Sequence, residues 1–113
     1  MSQLLGNAFE IQLDAVNYES RDGDGTVGAG RLVIEDLAGA RVGLWEAEPG
    51  VIGGVTTDEV FVVLEGRAEV TFEDTQETIQ VGPGSIVRLK AGQTNIWRTF
   101  ERLRKVAVSL PAS

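Results

Sequence analysis

Neither cysteine nor histidine occurs in this chain. Without cysteine there is no disulfide, no thiolate nucleophile and no thiolate metal site. Without histidine the commonest general base and the commonest transition-metal ligand are both missing, along with every Ser-His or Cys-His catalytic arrangement. Proline is scarce, at three residues, and long runs of helix formers are absent. No apolar stretch is long enough to span a bilayer, no Asn-x-Ser/Thr sequon occurs, and Met1 to Gly6 has neither the basic flank nor the apolar run of a targeting segment. A cytoplasmic protein is expected. Positive charge is short as well: 10 basic against 17 acidic residues gives a net charge of −7, which repels phosphate backbones and anionic headgroups and argues against nucleic acid or a membrane as partner.

What is present is glycine, 14 residues in 113, well above the ~7% of an average chain. The length suits one domain, 1–113, comprising N-terminal strands and a loop over 1–30 and a barrel over 31–110. Short β-rich runs recur every eight to twelve residues with Gly or Pro between them. They read as strands at Ala15–Tyr18, Arg31–Asp36, Arg41–Glu48, Asp58–Gly66, Ala68–Glu73, Glu77–Val81, Ser85–Leu89, Thr94–Phe100 and Arg102–Leu110. Residues 51–57 read as a loop, and Leu4, Leu5, Phe9 and Ile11 as either a short strand or a frayed arm. This pattern predicts an all-β fold, a sandwich or barrel of two antiparallel sheets.

The stretch Asp58-Glu-Val-Phe-Val-Val-Leu-Glu-Gly66 is apolar on both faces, so it predicts a strand buried on both sides. A second copy of the chain is the simplest cover for its outward side, and a homodimer is expected. Glu59 stands out, because a carboxylate at the mouth of a buried strand must be paired, hydrated at a rim, or facing a cavity.

Some patterns carry less than their letters suggest. Gly23-x-Gly25-x-x-Gly28 matches a dinucleotide-binding loop, but a polar segment precedes it and a strand follows, where the pyrophosphate needs a helix N-terminus. Asp22-Gly-Asp24-Gly-Thr26 starts like a calcium loop, yet Val27 replaces the required glycine. Arg98, Arg102, Arg104 and Lys105 crowd the last hairpin and read as charges blunting an edge strand rather than as an anion site.

Three segments between residues 43 and 108 carry a family resemblance. They are Gly43-Leu-Trp45-Glu-Ala-Glu-Pro-Gly50, the Asp58–Gly66 stretch, and Val81-Gly-Pro-Gly84 onward through Lys90-Ala-Gly92-Gln-Thr-Asn95-Ile-Trp97. Together they resemble the two motifs of a cupin, most closely the small single-domain cupins related to ureidoglycine aminohydrolase and to the ethanolamine-utilisation cupins. The resemblance implies a double-stranded β-barrel, or jelly roll. It also implies a metal held by a His-x-His pair before the motif glutamate and by a later histidine. Here the paired positions fall near Gly53 and Val55 and the later one is Asn95, so of the ligand set only Glu59 remains. First-row metals need three or four imidazole or carboxylate ligands, and no metal or other cofactor is expected.

Alternation along the strands places Asn95, Trp97 and Thr99 on one face, and Glu59, Phe61 and Val63 on another. With both motifs facing the barrel interior, as the resemblance implies, Glu59, Asn95 and Trp97 meet there, with Phe61 and Trp45 as walls. Three functions stay open at this point: a metal-independent pocket for a small polar metabolite, a hydrolase similar to ureidoglycine aminohydrolase with Glu59 as general base, and an accessory dimer whose barrel is packed by the two tryptophans.

Overall fold

The structure, a computed structural model, describes residues 3–111; Met1, Ser2, Ala112 and Ser113, the ends of the expected domain, lie outside it. Among the described residues there are eight strands and no helix: β1 (Asp14–Glu19), β2 (Thr26–Leu37), β3 (Ala40–Ala47), β4 (Gly50–Val55), β5 (Glu59–Phe72), β6 (Glu77–Val81), β7 (Ile86–Leu89) and β8 (Thr94–Ser109). Every pairing is antiparallel.

The long strands β5 and β8 organise the rest. They pair along almost their whole length, from Glu59↔Ser109 to Phe72↔Asn95, and each belongs to both sheets. On one side, β1, β2 and β3 lead to the C-terminal half of β8, then the N-terminal half of β5, then β7. On the other, β4 pairs the N-terminal half of β8, which pairs the C-terminal half of β5 and so β6. The hydrogen-bonded ladder is therefore continuous while its two halves face each other across a core centred on Phe61, Val63, Val70 and Leu103, all under 2% exposed. This is the expected jelly-roll barrel.

Four expectations change. The break expected between the strands Asp58–Gly66 and Ala68–Glu73 is a bend within β5, marked by register shifts between Val63 and Ala68. Gly66 makes it feasible: its φ is +89°, and a Cβ there would lie 2.2 Å from the Arg102 carbonyl oxygen and 2.5 Å from Leu103 Cα, so only glycine lets β8 approach. The break expected at Glu101 is likewise absent, and β8 runs through it. Of residues 51–57, read as loop, 51–55 belong to β4, whose ladder to β8 outweighs the low strand preference of Gly53 and Gly54. Finally, β2 begins at Thr26, ahead of the expected start at Arg31, so the end of the loop expected within residues 1–30 is strand paired to β1.

The segment before β1 forms no strand. It folds against the outer face of the first sheet, where Arg104 Nε donates to the Ala8 carbonyl at 2.8 Å and Arg104 also donates to the Ile11 carbonyl. Thus β8 is a central strand and not an edge. Arg104, 5% exposed, is buried by the arm it clasps and pairs with Glu46 at 2.9 Å. Arg102 pairs with Glu46 and Glu48, and Arg98 lies 3.7 Å from Glu69.

Candidate functional site

The inner faces of the two half-barrels line a cavity of about 710 Å³ that is open to solvent at one side. Alternation along each strand decides what lines it. On β5 Glu59 and Phe61 point inward, on β8 Asn95, Trp97 and Lys105, and on β3 Trp45, which stands directly across from Lys105 in the ladder. The structure thus brings together all five residues singled out in the sequence, with Phe61 in the core beside the cavity wall.

At the centre is a residue that sequence reasoning missed. Lys105 is 7% exposed. Its Nζ donates to Glu59 Oε2 at 2.7 Å and lies 4.1 Å from the centroid of the Phe61 ring and 5.0 Å from those of Trp45 and Trp97. A carboxylate and three electron-rich ring faces therefore surround one ammonium. Burial pushes the Lys105 ammonium below the ordinary lysine range, while the charge of Glu59 and its hydrogen bond pull the other way. The rings brace each other: Trp97 packs on Trp45 and on Phe61 with centroids 5.5 Å apart in both cases, and Trp45 Nε1 donates to the Tyr18 hydroxyl at 3.2 Å. Trp45 and Trp97 line the cavity, and only Trp97 among the two belongs to the buried core proper.

The signal for Lys105 is in the alternation. Carried on from Asn95, Trp97 and Thr99, it reaches Leu103 and Lys105 on the same face; dividing β8 into two strands hides it.

Asn95 shows a different feature. It is 3% exposed, and its Nδ2 has no hydrogen-bond partner, which costs about 1–3 kcal/mol for a buried donor. The residue facing it across the ladder is Gly54, where an added Cβ would meet nothing within 4 Å. An unpartnered amide and an open space share this end of the cavity.

The register also moves the expected ligand pair by one residue. Gly53 and Val55 point outward, Gly53 toward Arg21 and Val55 toward solvent, whereas Ile52 and Gly54 face inward opposite Trp97 and Asn95. None of the four can ligate. Among the described residues no group of three or more His, Cys, Asp or Glu converges to hold a metal, and Glu59 already has an ammonium against it. This donor set does not fit a first-row metal centre.

Comparison with known proteins agrees with the barrel. No curated protein matches the chain. Among solved structures, a protein of unknown function from Rhizobium leguminosarum is 28% identical, with a TM-score of 0.67 over 74% of this chain and 82% of that one. The EutQ protein of Clostridium difficile superposes with a TM-score of 0.74 over 91% of this chain and 82% of its own, at 13% identity. A putative ethanolamine utilization protein Q from Salmonella typhimurium gives 0.64 over 90% and 98%, at 20% identity. The family model described as the EutQ-like cupin domain matches residues 34–107, about two-thirds of the chain, running from the middle of β2 nearly to the end of β8. With its two motifs, its shared long strands and this match, the chain belongs to the EutQ-like cupin domain family.

Proposed function

We propose that this cupin binds a small polar metabolite in its barrel without a metal ion. The observation that carries the reading is the unpartnered Asn95 Nδ2 beside open space at Gly54, in a cavity whose buried ion pair, Glu59 and Lys105, is already mutually satisfied. An acceptor oxygen on the ligand supplies the missing partner, and Trp45 and Trp97 give the apolar walls common to small-molecule sites. The cavity argues against a barrel that is merely packed. No observation favours a hydrolase, since Glu59, the carboxylate inside the barrel, is engaged by Lys105. The acidic net charge favours neither nucleic acid nor a membrane surface as partner, and the lack of cysteine accords with a cytoplasmic setting; no helix of the described residues is long and apolar enough to cross a membrane.

The test is a melting-temperature screen of small carbonyl, amide and carboxylate compounds. A binder at 100 times its Kd adds about 2.7 kcal/mol. Gly54→Leu, which fills open space, and Asn95→Ala should both remove that response while the proteins stay folded. Zinc and nickel should leave the melting temperature unchanged; a stoichiometric metal response that depends on Glu59 overturns the metal-free reading.

We also propose a homodimer. Val60, Ile86 and Val108 are exposed on the outer face of the first sheet, with Val62 and Val106 between them in the ladder. A second copy seated there covers the side of β5 that the N-terminal arm leaves open. Sedimentation of the wild type and of Val60→Lys tests this: a dimer reduced to monomer is expected, and a monomeric wild type at micromolar concentration refutes it.

A further inference from the structure

The chain has two lysines, Lys90 and Lys105. Lys90 is exposed, and Lys105 forms part of the cavity wall. A buried amine beside a carboxylate, in a cavity with apolar walls and a free hydrogen-bond donor, is the arrangement that favours attack on a carbonyl. We infer that Lys105 is a nucleophilic amine and that the cavity takes a small 2-oxo acid, held as a reversible imine at Lys105 Nζ with its carboxylate on the Asn95 amide; this rests on the pocket reading above.

The chemistry needs only groups that line the cavity. The Lys105 ammonium gives a proton to Glu59, 2.7 Å away, leaving a neutral amine. The nitrogen lone pair forms the C–N bond with the keto carbon, and the former carbonyl oxygen takes a proton from that same nitrogen to give a neutral carbinolamine. Glu59 returns its proton to that hydroxyl, the C–O bond breaks, and water leaves as the C=N bond forms. One water is released and nothing is oxidised or reduced. The rings of Phe61, Trp45 and Trp97 around Nζ limit the water available to reverse the condensation, and burial, which disfavours the ammonium, assists the first step.

The preference for an acid follows from charge. Lys105 and Glu59 within the cavity, and Arg31, Arg41 and Asp14 at its exposed mouth, give a balance of 3 − 2 = +1 in a chain of net charge −7. Proton transfer from Lys105 to Glu59 leaves that balance unchanged, and one carboxylate neutralises it.

The experiment is reductive trapping. The full-length protein is incubated with pyruvate, treated with sodium borohydride, and mapped by peptide mass spectrometry. Saturable modification of Lys105, in preference to Lys90 and the N-terminal amine, is expected. Lys105→Arg, which keeps the positive charge, should abolish it, and Asn95→Ala should lower it about tenfold, as for a lost hydrogen bond to a charged group. Equal labelling of all three amines overturns the inference, and equal labelling of Lys105 by propanal overturns the preference for an acid. If pyruvate raises the wild-type melting temperature in an Asn95-dependent way with no trapped adduct, the imine fails and the pocket reading stands. If no compound of the broader screen binds either, both fail.

Discussion

Replacing Lys105 by methionine keeps the reach of the side chain and removes its charge. Glu59, whose side chain is 18% exposed, then faces three aromatic rings with no counter-ion, and the ring faces repel an anion. Breaking a buried ion pair from one side costs about 3–5 kcal/mol. Because Glu59 keeps some contact with water, the lower end applies, about 3 kcal/mol. For a domain of this size 1 kcal/mol corresponds to about 4 °C, so Lys105→Met should melt about 12 °C below the wild type at pH 7. Adding Glu59→Gln removes the stranded charge, and the double variant should recover most of the loss, since a buried pair replaced on both sides is often nearly neutral. Urea and thermal unfolding of the four proteins of this cycle give the coupling directly. Equal stability of the single and double variants, or a loss below ~1 kcal/mol, would show that Lys105 does not hold the Glu59 charge in place. The pH dependence gives a second check. Burial lowers Lys105 from the ordinary 10.5, so between its folded value and 10.5 the unfolded chain binds more protons. Stability contributed by this group therefore rises with pH through that window and is lost as pH falls through the folded value. Lys105→Met should lack this alkaline rise.

Three further outcomes are expected. Gly66→Ala should cost about 2 kcal/mol or more in urea unfolding, because the left-handed φ and the close Arg102 carbonyl act together; a change under 0.5 kcal/mol would show that the bend is relaxed. Asn95→Leu should stabilise the ligand-free protein by about 1 kcal/mol, since it removes a buried donor with no partner, and destabilisation instead would mean that the amide is satisfied. The Arg88 guanidinium at 2.8 Å and the Ala91 amide at 3.2 Å hold the Asp58 carboxyl below its ordinary 3.8. Its contribution is present above 3.8 and is lost as pH falls through the lowered value, so Asp58→Asn should flatten the acid limb of the stability curve, which an unchanged limb would contradict.

The fold was readable from the chain wherever a strand had β-branched residues in alternation, as in the matching bounds of Glu77–Val81. It was hidden where tertiary pairing overrode local chemistry: Gly53 and Gly54 look like a loop until β8 pairs with them, and Gly66 looks like a turn until Arg102 is seen against it. Of the site, Glu59, Asn95, Trp97, Trp45 and Phe61 could be placed by motif and parity. The partner of Glu59 could not, because its identity depends on how far β8 continues, and the charged run around Lys105 resembles a solvated surface until the N-terminal arm and the barrel bury it from opposite sides.

Because β8 crosses from one wall of the cavity to the other, Asn95 and Trp97 on one side and Lys105 on the other are joined by a single uninterrupted stretch of chain. The site therefore depends on the number of residues in that stretch being kept as well as on their kind. One residue inserted or removed between Trp97 and Lys105 turns the lysine to the outer face and brings Arg104 or Val106 inward. Relatives that differ in length there, whatever their similarity elsewhere, would be expected to carry a different chemistry in the same barrel.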